Sequence, residues 1–261
     1  MLETPTQHRP CVVVPVFDHE RALPVLIELL RQAHLPCWLV DDGSGRECAT
    51  AIDELVAANF DWLRLERLHV NRGKGAAVVA GLLAAARGGY THAVQIDADG
   101  QHDARDIAKF VAASRAAPEA VINGVAQYDA SVPAVRLYGR MITNRLVWVW
   151  TLSRDIADSM CGFRVYPVAP MLQLERTRPI GRRMQFDTDS IVRLHWSGVP
   201  VVNLRTPVTY PADGVSHFNM VRDNLRMTAL HLRLAAGMLR RLPRLVSRRL
   251  AASRAPQSDA V

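Results

Sequence analysis

The sequence predicts an α/β fold, a mainly parallel sheet flanked by helices, and three observations carry that expectation. Apolar strand-like runs alternate with helix-periodic segments from residue 11 to residue 125. Several of those runs end in acidic or glycine-containing turns, the edge at which open α/β sheets bind ligands. Nearly half of the 261 residues are apolar and no stretch before the C-terminal region is of low complexity, which suits one large folded domain.

In order, residues 11–16 form a continuous apolar strand that runs into Phe17, Asp18, His19 and Glu20, and a helix follows with Leu23, Leu26, Ile27 and Leu30 at helical spacing. Residues 38–40 read as a second strand, closed by Asp41, Asp42, Gly43 and Ser44. A helix over 49–60 and a strand over 63–69 come next. Asn71, Arg72, Gly73, Lys74 and Gly75 then open an alanine-rich helix through Arg87. Residues 93–96 are a short buried strand, 104–117 a helix and 121–125 a strand. The stretch 132–152 is helical in pattern, with Arg136, Arg140 and Asn144 on one face. Residues 158–164 lead into another strand, Phe186 opens a helix over 190–196, and 199–208 is the last strand.

Asp97 and Asp99 arrive as the strand over 93–96 ends, and Gly100 permits a sharp turn. Alternate residues of an extended segment point the same way, so Asp97, Asp99 and Gln101 can converge on a hard cation, Mg²⁺ or Mn²⁺. The alternative is an acidic turn capping the next helix. Gly73-Lys74-Gly75 lacks the G-x-x-x-x-G-K-S/T form of a nucleotide-binding phosphate loop. What remains is a helix N-terminus with glycines and one lysine, suited to an anion. Only Lys74 and Lys109 stand against thirty arginines, which hints that a compact ammonium is wanted at 74. Taken alone, Asp187 and Asp189 suit the first turn of a helix by charge.

Charge is unevenly placed. Residues 220–261 hold nine arginines and two aspartates, leaving 23 basic and 23 acidic residues before them. A neutral body argues against nucleic-acid binding, and the basic excess belongs to the C-terminal segment. From Phe218 to Leu242 no proline intervenes, and Pro243 is expected to end or kink the helix. Arg222, Arg226, Arg233, Arg240 and Arg244 share one face at about 100° per residue, with Leu225, Leu232, Leu234, Met238 and Leu239 on a broad opposite one. This reads as an amphipathic helix lying on an anionic membrane surface, or as one packing on the domain or on another copy with its arginines in water. Cys11, Cys37, Cys48 and Cys161 lack paired spacing and suit the core of a protein in a reducing compartment. No secretory signal and no apolar stretch approaching about 20 residues is expected to direct the chain across a bilayer.

Five of these segments, in this order, resemble the family 2 glycosyltransferases, and in particular their dolichyl-phosphate mannosyltransferase-like branch. They are Pro15 with the loop to Glu20, the run Asp41 to Ser44, the run Asn71 to Gly75, Asp97 to His102, and Cys161-Gly162-Phe163-Arg164. The resemblance spans residues 11–210. It implies a GT-A type fold, a nucleotide-sugar donor with a UDP or GDP moiety, a divalent metal, and inversion at the anomeric carbon. It implies that Asp42, beside Asp41, Pro15 and Glu20, recognises base and ribose, and that Lys74 sits near the phosphates. Asp97 would contact ribose or metal, Asp99 would be the principal metal ligand and Gln101 a helper. The loop Phe17-Asp18-His19-Glu20 departs from the family's Tyr-Asn-Glu by an extra residue, which changes its spacing.

A hydroxyl acceptor needs a general base, for which Asp158, Asp187 and Asp189 are candidates. A lipid phosphate is already anionic and needs cations, which Arg136, Arg140 and Arg164 offer. The expected layout is an N-terminal arm over 1–10, a GT-A domain over 11–217, a basic helical tail over 218–250 and a disordered end over 251–261. No transmembrane pair follows, unlike membrane-embedded relatives, and residues 215–218 with the basic helix resemble a bacterial subset found beside or fused to lipid acyltransferases. The expected activity is transfer of a hexose to a lipid acceptor, first of all polyprenyl phosphate, by an enzyme peripheral on the cytoplasmic face of the membrane. A soluble or other hydroxyl acceptor, or a catalytically idle nucleotide-sugar-binding protein, are the alternatives.

Overall fold

A computed structural model describes residues 7–129, 132, 134–209 and 220–254. Residues 215–218 and 255–261, and the side chain of Arg136, lie outside that description. The elements are β1 (Pro10–Val16), α1 (Leu23–Arg31), β2 (Cys37–Asp41), α2 (Arg46–Ala58), β3 (Leu63–Arg67), α3 (Lys74–Arg87) and β4 (His92–Gln95). A 3-10 turn over Ala104–Asp106 then enters α4 (Ile107–Ala116), followed by β5 (Val121–Tyr128), α5 (Ala134–Thr151), β6 (Arg164–Pro167) and α6 (Val168–Thr177). α7 (Phe186–Ser197), β7 (Val201–Val208) and α8 (Met220–Arg254) complete the chain.

The seven strands order as β3-β2-β1-β4-β6-β5-β7, and β6 alone runs antiparallel to its neighbours. Two apolar clusters cover the two faces of the sheet, one around α3, α7 and α8 (Val78, Leu82, Phe186, Leu230), the other around α1 and α4 (Leu26, Leu30, Phe110). That double cover is why β1 and β2 read as continuous apolar runs.

The chain winds from β1 outward to β2 and β3, then returns to β4 on the other side of β1, so the strand order reverses between β1 and β4. Crevices at such reversals are where α/β sheets take ligands. Pro15 sharpens this one. Ile96 donates its amide to the Val13 carbonyl while Asp42 donates to that of Val16, so odd-numbered residues of β1 face β4 and even-numbered ones face β2. The β1–β4 register ends at Val13↔Gln95. Pro15 therefore lacks its N–H where no strand remains to receive it, and the two strand ends part.

Several boundaries differ from expectation for tertiary reasons. β5 runs on to Tyr128 because it is in register with β7 over its whole length, from Val121↔Val201 to Tyr128↔Val208. Helix α6, with Pro170 in its first turn, has no counterpart in the sequence reading. α8 continues through Pro243 to Arg254. Its apolar residues divide into two faces: Leu230, Leu234 and Leu245 are buried on the domain, whereas Leu225, Leu232 and Leu239 are more than 60% exposed (67%, 68% and 63%). Among the described residues no helix is long and apolar enough to cross a membrane. All four cysteines are buried and unpaired.

Candidate active site

The parted ends of β1 and β4 open a cleft of about 380 Å³. Pro15 and Val16 line it from β1, and Asp97, Ala98 and Asp99 from the end of β4. Capping of the turn that follows falls to Asp103, whose carboxylate accepts the Arg105 amide. Asp97 and Asp99 are thereby left to the cleft.

Lys74, in the first turn of α3, places its ammonium 2.8 Å from Asp97 Oδ2 and 2.7 Å from Asp187 Oδ2. Gln95 donates to the other Asp187 oxygen at 3.0 Å. Burial alone would push the Asp97 carboxyl up, but Lys74 overrides it and holds the pKa below the ordinary aspartate value. The Lys74 ammonium, despite its own desolvation, is raised by Asp187 and Asp97. Asp99 lies the other way: burial first, then the neighbouring Asp97 charge, raise it. Two carboxylates pushed apart in pKa at a strand end mark a functional site. Asp97 Oδ1 is buried with no hydrogen-bond partner among the described residues, so one acceptor of this carboxylate is not committed to the fold. Among the described residues no set of three or more His, Cys, Asp and Glu side chains forms a closed metal cage. Two hard oxygens with room for other ligands fit Mg²⁺ or Mn²⁺, which take substrate phosphates and waters for the rest of their shell.

Asp42 works on the backbone. Its carboxylate accepts the amides of Arg72 (2.8 Å) and Gly73 (2.7 Å), fixing the turn that starts α3. Burial raises its pKa against the pull of those amides. Gly73 has φ +99° and a Cβ there would meet Arg183 Cγ at 2.4 Å, so a side chain at 73 would be both strained and obstructed. Arg183, which donates to Asn71 Oδ1 at 2.8 Å, lines the cleft with Asp42 and Asn71. From the start of α8, Arg222 and Arg226 line it as well.

The other residues singled out in the sequence lie elsewhere. Asp41 accepts the Ser44 amide and pairs with Arg67 at 2.8 Å, away from the cleft lining. The extra residue in the loop after β1 has a structural use: Asp18 accepts the Gly45 amide at 2.7 Å, and the loop presents His19, not Glu20, to the cleft. Gln101 donates its amide to Asp99 Oδ1 at 3.0 Å, and its side chain is not among the cleft-lining groups. Arg140 grips Asp158 with Nε and Nη2, at 3.0 and 2.7 Å, and Asp158 also accepts the amides of Ala126 and Met160. This clasp joins α5 to the 158–162 loop. Asp189 accepts the Gly181 amide at 2.8 Å and faces Arg193 at 3.7 Å. Neither Asp187 nor Asp189 is spent on capping α7.

Arg164 is wholly buried on β6, donating to Asn123 Oδ1 and Tyr166 Oη and to the main-chain oxygen of Asp187. It fixes the helix turn that carries Asp187. The sequence reading passed over His102 as a participant. Its ring packs edge-on against Phe163, burial lowers its pKa against the opposing pull of Asp97 and Asp99, and its buried Nδ1 has no partner. Its place in the Asp97 to His102 run was the available signal. Arg183 and the Lys74–Asp187 link had none, being more than a hundred residues from their partners.

Gly162 gives a direct check of this geometry. A Cβ there would meet Asp97 Oδ2 at 2.2 Å and Lys74 Nζ at 2.7 Å, the ends of two flexible side chains. Gly162→Ala is therefore expected to displace the Lys74–Asp97 pair, at a cost of about 1–3 kcal/mol because Lys74 keeps its second partner Asp187, and to lower turnover by roughly tenfold or more. Melting temperature and rate, measured on one preparation, separate the two effects; unchanged turnover would detach the pair from catalysis.

A model of the family described as Glycosyl transferase family 2 matches residues 11–169. The polyprenol monophosphomannose synthase of Mycolicibacterium smegmatis is 25% identical over 227 residues, 85% of this chain and 84% of that protein. The dolichyl-phosphate beta-glucosyltransferase of Drosophila melanogaster is 31% identical over 177 residues, 59% of this chain and 53% of that protein, so the chain matches about half its length. The solved structure of glucosyl-3-phosphoglycerate synthase from Mycobacterium tuberculosis, in complex with Mn²⁺, uridine-diphosphate-glucose and phosphoglyceric acid, aligns with a TM-score of 0.63 at 14% identity, over 89% of this chain and 80% of that one. At that identity the likeness speaks for the GT-A fold alone. With five ordered motifs converging on or beside one cleft and a family match over more than half its length, the chain belongs to glycosyl transferase family 2, as a glycosyltransferase of its dolichyl-phosphate mannosyltransferase-like branch.

Proposed function

We propose that the protein transfers a hexose from a UDP- or GDP-sugar to a polyprenyl phosphate, with Mg²⁺ or Mn²⁺, while lying on the cytoplasmic face of the membrane. The observation that carries this reading is the cleft itself, which Asp97 and Asp99 line together with Arg183, Arg222 and Arg226, the last paired with Asp223 at 2.7 Å. Asp97 and Asp99 would hold the cation. When bound, the metal would neutralise charge on the diphosphate of the donor. Lys74 sets the Asp97 rotamer, Asp42 with Asn71 shapes the wall for the nucleoside, and the arginines stabilise charge on the departing nucleoside diphosphate. An acceptor phosphate needs no base to ionise it. That suits a site in which Asp158 and Asp189 are already held by several donors.

The names of the relatives support a phosphorylated polyisoprenoid acceptor, and the exposed faces of two helices support the membrane. Leu225, Leu232 and Leu239 lie seven residues apart, within about 40° on α8. Tyr138, Met141, Ile142 and Val149 are exposed on α5, which packs beside α8. Arg233 and Arg240 flank the leucine stripe, an arrangement that favours an anionic bilayer.

Nucleoside diphosphate release with Mn²⁺ or Mg²⁺ tests the activity, using UDP- and GDP-sugars with polyprenyl phosphate or the corresponding free alcohol. Release that depends on the phosphate and not the alcohol is expected. Equal release with the alcohol would overturn the acceptor. For the membrane, Leu232→Asp with Leu239→Asp is expected to lower binding to vesicles containing acidic lipid by roughly tenfold without a change in melting temperature, because both side chains already face solvent. Undiminished binding would remove this face from the reading.

A further inference from the structure

A second and larger cavity, about 910 Å³, lies beside the edge strand β7, at the opposite end of the strands from the cleft. It is bounded by the end of α5, the end of α7, the start of β7 and the last turns of α8. Val201 on its wall pairs with Val121, the first residue of β5, which places it at the amino ends of these strands, whereas the donor cleft opens at the carboxyl ends of β1 and β4. From Arg226 in the cleft to Leu245 in the cavity is about 28 Å along α8, at ~1.5 Å per residue. The cavity is too far away to hold the reacting acceptor phosphate.

Its lining is built for an anion. Arg145, Arg154, Arg248 and Arg249 converge on it against one carboxylate, Asp155, which is engaged by His195 Nε2 at 2.9 Å. Among the described residues none of the four arginines forms an ion pair. Arg248 is aimed by main chain instead, donating to the carbonyls of His195 and Trp196 at 3.2 Å. The Arg154 guanidinium lies 5.6 Å from the centroid of Trp148, whose indole is anchored to the Ile156 carbonyl at 2.8 Å. Beside Thr151 and Ser153 the wall carries an aliphatic patch, in which Val199 and Leu245 are joined by the half-exposed Val149 of α5.

We propose that this cavity is a non-catalytic binding site for a phosphate monoester, with its phosphate among Arg145, Arg154 and Arg249 and an apolar chain along Val149 and Leu245. Unpaired guanidinium groups recognise phosphate through charge-assisted hydrogen bonds. The volume lies within the range of small-molecule sites. Because the aliphatic patch reaches the exposed face of α5, a lipid chain can leave the cavity toward a membrane lying on that face.

The test is calorimetric titration of the full chain, and of its Arg154→Gln/Arg249→Gln variant, with three probes: dihexanoyl phosphatidic acid, glycerol 3-phosphate and dihexanoyl phosphatidylcholine. Both arginines are exposed, so the variant should fold, and the thermal shift produced by a nucleoside diphosphate with Mn²⁺ serves as the control for the distant cleft. The expected result is binding of phosphatidic acid at least tenfold tighter than of phosphatidylcholine, weakened at least tenfold in the variant with the nucleotide shift intact. A further tenfold preference for phosphatidic acid over glycerol 3-phosphate assigns a lipid; equal, arginine-dependent binding of both assigns a soluble phosphate ester. No binding of either phosphate, or binding that the variant retains, overturns the site.

Discussion

Asp99→Ala should leave the protein folded and remove nearly all turnover, on the order of 10²- to 10⁴-fold, the scale of losing a charged group preorganised for the transition state. The stability side of this expectation has a definite sign. Burial and the Asp97 charge raise the folded-state pKa of Asp99, so the ionised side chain destabilises the fold at neutral pH. A raised carboxyl loses stability as pH climbs through the unfolded value, about 3.9, toward the folded one. Removing the carboxyl should therefore leave the melting temperature at pH 7 equal or slightly higher, with the difference vanishing below about pH 4. A well-folded Asp99→Ala protein with near-normal nucleoside diphosphate release would end the metal-site reading. A protein that unfolds would show that Asp99 holds structure.

Lys74→Met should do the opposite to stability. The ammonium is only 15% exposed and sits between two carboxylates whose side chains are 22% and 7% exposed. Taking it away leaves Asp97 and Asp187 facing each other with no cation between them, and removing one partner of a buried ion pair costs about 3–5 kcal/mol. At about 2–4 °C per kcal/mol for a chain of this size, the melting temperature should fall by roughly 10 °C. The deficit should shrink in acid. In the native protein the depressed Asp97 pKa contributes stability above the unfolded value that is lost as pH falls through the folded one. In the variant the Asp97 carboxyl loses the charge that holds it down, so burial raises it and it regains a neutral form at higher pH. Thermal melts from pH 7 down to pH 4 check this, and parallel curves for the two proteins would contradict the bridge. Lys74→Arg should restore little, because a planar fork does not fit a gap set by contacts of 2.7 and 2.8 Å.

These residues also show where sequence reasoning reaches and where it stops. Asp97 and Asp99 were legible because a strand's alternation and its abrupt end are local properties, and the same holds for the Gly73-Lys74-Gly75 turn. The partner of Lys74 was not legible. Asp187 looked like a helix-dipole carboxylate, and only folding carries it 113 positions back to the ammonium. Arg164 was placed among cations for an acceptor, yet β6 inserts antiparallel between two strands that run the other way, and the guanidinium is buried where it braces Asp187. Arg222 and Arg226 belonged to an arginine stripe that read as one surface. The helix that carries them begins beside the cleft, so its first two turns line that cleft, while Arg233 and Arg240 further on lie on its exposed side and Arg248 and Arg249 line the second cavity.

By itself the sequence determined the alternation of strands and helices, the parallel character of the sheet, and the acidic strand end, because each follows from residue periodicity and turn chemistry within a few positions. Tertiary structure alone decided which charges meet, that the apolar residues of α8 divide between core and surface, and that a second arginine-lined cavity forms beside the edge strand β7. Those outcomes depend on how distant elements close over one another, and no local pattern encodes the distance between them.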